Sequence, residues 1–227
     1  MTWKQMFTSS VGKKLVMGFT GIFLILFLIV HVGLNACIWA NDGGEMFNKA
    51  AHFMGSNLIP RILEIGLFVG FILHIVQGYM LTLQNNKARS VGYAVNYKDG
   101  SKWYSRSMAL LGSIILIFLI IHLSHFWIPN RMQQGLTLGN EKDLYALMKE
   151  TFSGNDSRTL ITIVVYILGC AALGYHLAHG FQSAFKTLGI HNKKYFQMLA
   201  AIGFIFSIVV CLAFALMPLS FHFGWIN

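Results

Sequence analysis

Long uncharged stretches dominate the pattern of apolar and polar residues along the chain. Runs without any Lys, Arg, Asp or Glu cover residues 15–41, 65–86, 107–130, 159–185 and 195–227. Each run exceeds the ~20 residues that a helix needs to cross the hydrocarbon core of a bilayer. The pattern predicts an all-α membrane protein with five transmembrane helices. We expect spans at about 15–40, 62–84, 105–128, 159–184 and 196–221, within a single integral membrane domain of residues 1–227.

Composition points to the same class of protein. Charged residues make up 11% of the 227 residues, against about 25% in ordinary globular proteins. This excludes a soluble enzyme, a disordered tail and a nucleic-acid-binding protein, although the net charge is +9. The first run is too long for a signal peptide and is predicted to remain as a membrane helix. Cys37, Cys170 and Cys211 form neither a CxxC nor a CxxCH pattern, so we expect buried thiols rather than disulfides, zinc or c-type haem.

The distribution of basic residues predicts the orientation in the membrane. If the N-terminus is cytoplasmic, segments 1–14, 85–106 and 183–195 face the cytoplasm and hold eleven of the seventeen Lys and Arg residues. Because this obeys the positive-inside rule, we expect a cytoplasmic N-terminus and a C-terminus outside. The basic cytoplasmic face is suited to anionic lipid or to an acidic protein partner, and charge alone does not choose between them.

Histidines are concentrated where a polar ring is costly. Six of the nine lie in the first four uncharged runs: His31, His74, His122, His125, His176 and His179. Ionisable residues inside a membrane indicate function, although a lone histidine is also explained by a hydrogen bond to a backbone carbonyl. His31 and His122 come late in helices that run outward, which places both in the outer leaflet. His74 and His176 come late in helices that run inward, which places both in the inner leaflet.

A pair of histidines at each of two depths is typical of haem b. Six-coordinate haem iron takes two axial nitrogens, whereas zinc and copper usually need three or four protein ligands. A proton relay would ordinarily contain carboxylates, and Glu64 is the only acidic residue near a span. Depth favours His122 and His176 over His125 and His179, which lie one turn further along each helix, but leaves the choice open.

Small residues follow the faces that carry two of these histidines. Spacing by four aligns Gly66, Gly70, His74 and Gly78 on one helix, and Ala172, His176 and Gly180 on another. The rows leave room for a flat macrocycle beside each histidine. Ordinary helix–helix packing explains Gly66 and Gly70 as well.

Several segments around these histidines form a recognisable set: FLIVHVGLN around His31, FNKAAHFM at 47–54, RILEIGLF and FILHIVQGY around Glu64 and His74, IFLIIHLSHFW around His122, and GYHLAHGFQSAFKTLGI around His176. Together they resemble the di-haem cytochrome b558 membrane subunit of succinate dehydrogenase and fumarate reductase. It implies that His31 and His122 hold an outer haem b, and that His74 and His176 hold an inner one. The resemblance also implies His176 rather than His179, because HLAHGFQS matches the family's pattern of a histidine, three residues and a glycine.

The resemblance also implies the partners and the reaction. The chain would anchor a flavoprotein subunit with covalent FAD and an iron–sulfur subunit to the bacterial cytoplasmic membrane, so that FAD and iron–sulfur clusters belong to those partners only. Electrons from succinate would reach menaquinone through the inner and then the outer haem, or travel in reverse in a fumarate reductase. Some fumarate reductases carry a glutamate two residues before the fourth-helix ligand. Gly174 stands there in this chain, which favours succinate dehydrogenase.

Other polar residues are candidates for quinone and haem contacts. Glu64 is expected ~15 Å from His74 toward the outside, either as a proton-exchanging group at a quinone site or as an ion-pair partner of Arg61. His52 is a weaker candidate for the same role. Candidates for contacts with haem propionates are Arg61, Lys102, Arg106, Arg131 and Arg158. Two other functions stay open: a haem b quinol-oxidising subunit of another respiratory complex, and a cofactor-free membrane protein.

Overall fold

The computed structural model describes residues 2–87, 103–135, 142–190 and 192–226, and these residues form ten α-helices and no strand. The helices are α1 (Trp3–Thr8), α2 (Ser10–Asn35), α3 (Glu45–Ser56), α4 (Leu58–Lys87), α5 (Trp103–Arg106), α6 (Met108–His122), α7 (Ile128–Gln134), α8 (Leu144–Phe152), α9 (Ser157–Thr187) and α10 (Lys193–His222). A 3-10 turn, Ala36–Ala40, extends α2, and a π-helical turn, Leu123–Trp127, joins α6 to α7. The predicted all-α fold is confirmed.

Five helical segments are long and apolar enough to cross a membrane, as the uncharged runs predict. They are Ser10–Ala40, Leu58–Lys87, Met108–Gln133, Ser157–Thr187 and Lys193–His222. The third segment departs most from its predicted bounds, because α5 is a separate turn before Met108 and the helix continues beyond residue 128. Its π-helical turn lies next to Pro129, which has no N–H to donate to the preceding turn.

Polar side chains cap the starts of several helices. The Ser9 hydroxyl accepts a hydrogen bond from the Gly12 N–H (3.0 Å) at the start of α2. Asp156 accepts from the N–H groups of Arg158 (3.0 Å) and Thr159 (3.3 Å) at the start of α9. The Thr159 hydroxyl also donates to Asp156 (2.6 Å), and these hydrogen bonds hold the pKa of the Asp156 carboxyl below its usual value. The caps satisfy N–H groups that a helix leaves unpaired at its first turn.

The α9 helix lies at the centre of the packing. It contacts α2, α6 and α10, while α2 also packs on α4, and α4 meets α6. The helices α2, α4, α6 and α9 therefore surround a common interior, and α10 packs along the outer side of α9. Gly169 leaves room for α6 to pack on α9, because a Cβ at this position would lie 2.5 Å from the Phe118 ring.

The two ends of the bundle differ in their polar residues. We call "basic end" the end that holds the start of α2, the end of α4 and the turn between α9 and α10. The opposite end, called the "loop end", carries the short helices α3 and α8. Phe47 of α3 and Tyr145 of α8 pack in one apolar cluster with Ile38 and Phe221, so that these helices close this end of the bundle.

Candidate cofactor site

Two histidine rings face one another in the half of the bundle near the loop end. His31 of α2 and His122 of α6 have ring centroids 5.8 Å apart, with the planes at 85°. Aromatic rings surround them: Phe27 stacks on His31 at 5.1 Å, and Phe118 stacks on His122 at 5.7 Å. Phe214 of α10 lies 5.4 Å from His31. We call His31 and His122 the loop-end pair.

A second pair lies nearer to the basic end. His74 of α4 and His176 of α9 have ring centroids 6.2 Å apart, with the planes at 67°. Glycines flank this basic-end pair, since a Cβ at Gly21 would lie 3.6 Å from His74 and a Cβ at Gly112 would lie 3.8 Å from His176. Thr20, beside His74, is eleven residues from His31 on α2, so the two pairs are separated by roughly 16 Å along the bundle.

The spacing within each pair suits one iron atom. Two imidazoles bound through nitrogen to opposite sides of an iron have centroids about 6 Å apart, because each metal–nitrogen bond is about 2 Å long. None of the four rings is fully buried, although all lie between helices. A Cβ at Gly180, one turn beyond His176, would also meet nothing within 4 Å. The residues present therefore fit a flat group held between the two rings of each pair.

Hydrogen bonds to the second ring nitrogen differ between the pairs. The Thr20 hydroxyl donates to the Val16 carbonyl (2.8 Å), so its oxygen accepts from Nδ1 of His74 (3.1 Å). This leaves Nε2 of His74 with the lone pair that a metal needs. Asn35 contacts Nδ1 of His31 at 3.3 Å and donates to the His31 carbonyl at 2.8 Å. In the described part of the chain, the buried Nδ1 atoms of His122 and His176 have no hydrogen-bond partner.

The neighbouring histidines have different surroundings. His125 lies in the π-helical turn, where its Nδ1 is 3.0 Å from the Tyr166 hydroxyl and its ring stacks on that of Tyr166. Neither His125 nor His179 has a ring contact with another histidine within the described ranges. The geometry therefore favours His122 and His176 as the members of the two pairs. Among those same residues, no group of three or more His, Cys, Asp or Glu side chains converges as a site for zinc or copper would require.

Glu64 lies in a polar cluster in the loop-end half. Its carboxylate accepts hydrogen bonds from Trp127 Nε1 (2.5 Å), Arg131 Nε (3.0 Å) and Arg61 Nη1 (3.4 Å), and a further one from Arg131 Nη2. Sequence spacing predicts the contact with Arg61 but not the contacts with Arg131 and Trp127, which come from another helix. The available sequence signal for these contacts was that Glu64, Trp127 and Arg131 all lie at the same end of their predicted spans. We call Arg61, Glu64, Trp127 and Arg131 the Glu64 cluster.

The remaining candidates lie elsewhere. Arg106 and Arg158 are exposed at the basic end and the loop end respectively, and His52 is exposed on α3. Lys102 and His191 lie outside the described residues. Sequence reasoning also overlooked Thr20, Asn35 and Lys13, of which Lys13 is only 3% exposed. Lys13 and Thr20 are seven residues apart and therefore lie on the same face of α2. This spacing was the available sequence signal that the two residues face the same neighbours.

The fold and the facing rings define the class of this molecule. It is a multi-pass membrane protein whose helices enclose two pairs of imidazoles at two levels. No protein-family model and no solved structure matches the chain.

Similarity to one characterised protein identifies the particular family. The chain is 30% identical over 167 residues to the succinate dehydrogenase cytochrome b558 subunit of Bacillus subtilis (strain 168), a match that covers 73% of this chain and 73% of the relative. The chain belongs to the succinate dehydrogenase cytochrome b558 subunit family. The resemblance that the histidine segments indicate is thereby confirmed.

Proposed function

We propose that the chain holds two haem b groups, one between His31 and His122 and the other between His74 and His176. The observation that carries this proposal is the distance between the two ring centroids of each pair, 5.8 Å and 6.2 Å, which leaves room for one iron atom between the rings. The two pairs lie at two levels and come from four different helices. We refer to the haem of the loop-end pair as the outer haem and to that of the basic-end pair as the inner haem. The name of the Bacillus relative, a cytochrome b558 subunit, supports haem b as the cofactor.

Held by these histidines, the two haems would carry single electrons, which would let this subunit pass electrons between an iron–sulfur subunit and menaquinone in the membrane. The protein residues hold and shield them. The aromatic rings of Phe27, Phe118 and Phe214 exclude water from the loop-end pair. The Thr20 hydroxyl would hold the proton on Nδ1 of His74, which would leave Nε2 free to bind the iron. Succinate itself reacts on the partner flavoprotein with its FAD, not on this chain.

The Glu64 cluster is the proposed quinone site. Glu64 exchanges protons with the quinone, and Arg131, Arg61 and Trp127, which donate to the Glu64 carboxylate, provide hydrogen-bond donors suited to a quinone carbonyl beside Glu64. The cluster lies at the loop end, beyond the loop-end pair. Quinone chemistry is thus proposed on the side of the membrane opposite the partner subunits.

The orientation follows from the basic end. We propose that it faces the cytoplasm of a bacterium and binds the flavoprotein and iron–sulfur subunits, with the C-terminus outside and the five spans in one membrane domain. Gly174 supports succinate oxidation as the direction. A Cβ there would lie 3.2 Å from the Cys211 sulfur, so α10 fills the place that a glutamate side chain would need.

Haem quantification tests the proposal. The purified chain should show a reduced-minus-oxidised b-type spectrum and two haems per chain. A spectrum without a b-type α band would favour the cofactor-free alternative and refute the haem assignment. Purification from its native membrane should also recover a subunit with covalent flavin. Recovery of a different catalytic subunit would favour the haem b subunit of another respiratory complex.

A further inference from the structure

The long helix α4 buries only two of its 30 residues, and one of them is polar. These residues are Gly70 and Gln77, and Gln77 is only 4% exposed. Its side-chain carbonyl oxygen is buried and has no hydrogen-bond partner within the described residues. Leaving a buried amide unpaired costs free energy, above all in a membrane, where water does not supply the missing hydrogen bond. The amide of Gln77 therefore calls for a partner.

Other glutamines show how the bundle accommodates this side chain elsewhere. Gln182 of α9 is part-buried, and its Nε2 donates to the Ala178 carbonyl (3.2 Å). Gln84, which lies seven residues after Gln77 on α4, is exposed. Among the glutamines whose side chains the structure describes, Gln77 is the one with a buried atom that lacks a partner. Its surroundings are thus those of a binding contact that is not supplied by the nearby helices.

Gln77 lies beside the basic-end pair. It follows His74 by three residues, which corresponds to a rise of ~4.5 Å toward the basic end and a rotation of about 60° around α4. The adjacent Gly78 borders α2, because a Cβ there would lie 2.9 Å from the terminal methyl group of Met17. This neighbour is apolar and offers no strong hydrogen bond. Gln77 is therefore the first buried polar side chain of α4 beyond His74 in the direction of the basic end.

We infer that the side-chain amide of Gln77 hydrogen-bonds to a propionate carboxylate of the inner haem. This inference rests on the proposed placement of a haem between His74 and His176. Charged groups within a membrane avoid the hydrocarbon by extending to the nearer polar end, which for this haem is the basic end. A carboxylate there needs hydrogen-bond donors. Half a turn about the last side-chain bond of Gln77 directs its NH₂ group to the position of the unpaired oxygen.

Haem binding to the purified full chain tests this contact. Gln77→Leu removes the donor, and we expect about 10- to 100-fold weaker binding of the inner haem, typical of a lost hydrogen bond to a charged group. Binding of the outer haem should not change. Titration of the haem-free chain with haem b, followed by the spectrum of each haem, measures both affinities.

Gln84→Leu is the matched control, since it makes the same substitution at an exposed position of the same helix. It should alter the affinity for neither haem. If Gln77→Leu fails to accumulate, Gln77→Met is measured in the same way. An unchanged affinity for the inner haem in the apolar variants of Gln77 overturns the inference.

A haem without propionates identifies the partner of the amide. The probe is an iron porphyrin that carries ethyl groups in place of both propionates. With this probe the cost of Gln77→Leu should vanish, because neither chain then has a carboxylate to bind, and the comparison forms a double-mutant cycle. A cost that persists assigns the amide to a water molecule or another group and overturns the inference.

Thermal unfolding supplies an independent readout. Without haem, the unpaired amide has no compensating bond, so Gln77→Leu should unfold at a temperature no lower than that of the wild type. With both haems bound, the variant should unfold at a lower temperature. Equal destabilisation in both forms would place the partner within the chain itself and overturn the inference. The underlying proposal fails separately: a wild-type chain that binds no inner haem refutes the haem placement, whereas two normal haems with a silent Gln77→Leu refute only the role of Gln77.

Discussion

The loop-end and basic-end halves of the bundle place similar histidine pairs in different environments. The loop-end pair is enclosed by aromatic rings, and charges of both signs lie beyond it in the Glu64 cluster. The basic-end pair is bordered by the small residues Gly21 and Gly112 and by the Thr20 hydroxyl. The described charges near it are cations alone. Similar ring spacing therefore does not imply similar electrostatics.

This difference suggests separate roles for the two halves. At the loop end, the Glu64 carboxylate neutralises part of the charge of Arg61 and Arg131. This half therefore offers hydrogen-bond donors and a carboxylate suited to proton exchange. At the basic end, the charges that the structure describes are cations, which suit an acidic surface of a partner subunit. The predictions below separate the halves, beginning with the largest expected effect.

Replacing one of the proposed histidine ligands should remove the haem from its own half of the bundle and leave the other haem in place. His122→Ala is expected to abolish the outer haem and retain the inner one, and His176→Ala to do the reverse, because each haem iron would lose an axial nitrogen. The ratio of haem to protein and the low-temperature spectrum measure this. His125→Ala and His179→Ala are the matched controls and should retain both haems. If either control lost a haem that the neighbouring substitution kept, the ligand choice would be wrong.

Glu64→Gln should impair quinone chemistry at the loop end without loss of the outer haem. Loss of a proton-exchanging carboxylate is expected to lower quinone turnover on the order of 100-fold, with both haems retained. Steady-state quinone reduction in the intact complex checks this. Glu45→Gln is the control, since Glu45 pairs with Lys49 on exposed α3. Normal turnover in Glu64→Gln would return Glu64 to a purely structural role with its arginines.

Thr20→Val should change the basic-end half more subtly. The substitution removes the oxygen that accepts from Nδ1 of His74, so the imidazole becomes a weaker donor to iron. We expect about 10-fold weaker binding of the inner haem and a higher inner midpoint potential, with no change at the outer haem. Thr82→Val is the matched control, because among the described residues the Thr82 hydroxyl donates to the Gly78 carbonyl of its own helix. Equal shifts in both variants would contradict the role of Thr20.

Tyr166→Phe should have the smallest effect. It deletes the hydroxyl that contacts His125 and keeps the ring that packs on His122. The expected cost is about 1 kcal/mol of stability, typical of one hydrogen bond, with both haems retained. Thermal unfolding of the purified chain and its haem content provide the measurements. Loss of the outer haem would mean that His125, rather than His122, is the important contact of this pair.

The sequence predicts the fold better than it predicts the contacts of the site. Five uncharged runs are sufficient for five spans, and the third departs most from its predicted bounds, because it begins at Met108 and continues through the π-helical turn and Pro129 to Gln133. Glu64 illustrates the limit. Its contact with Arg61 is local and follows from spacing, whereas Arg131 and Trp127 are more than sixty residues away along the chain. No local pattern specifies such a contact.

The sequence by itself determined the depth of each histidine, because a bilayer orders a helix along its axis and excludes charge from a layer of known thickness. Rotation about that axis was decided by tertiary packing, such as that of Gly169 against Phe118. Residues three apart differ by about 60° around a helix, so similar depth did not separate His122 from His125. Adjacent residues differ by about 100°, and only the packed bundle buries Lys13 while it leaves Lys14 exposed.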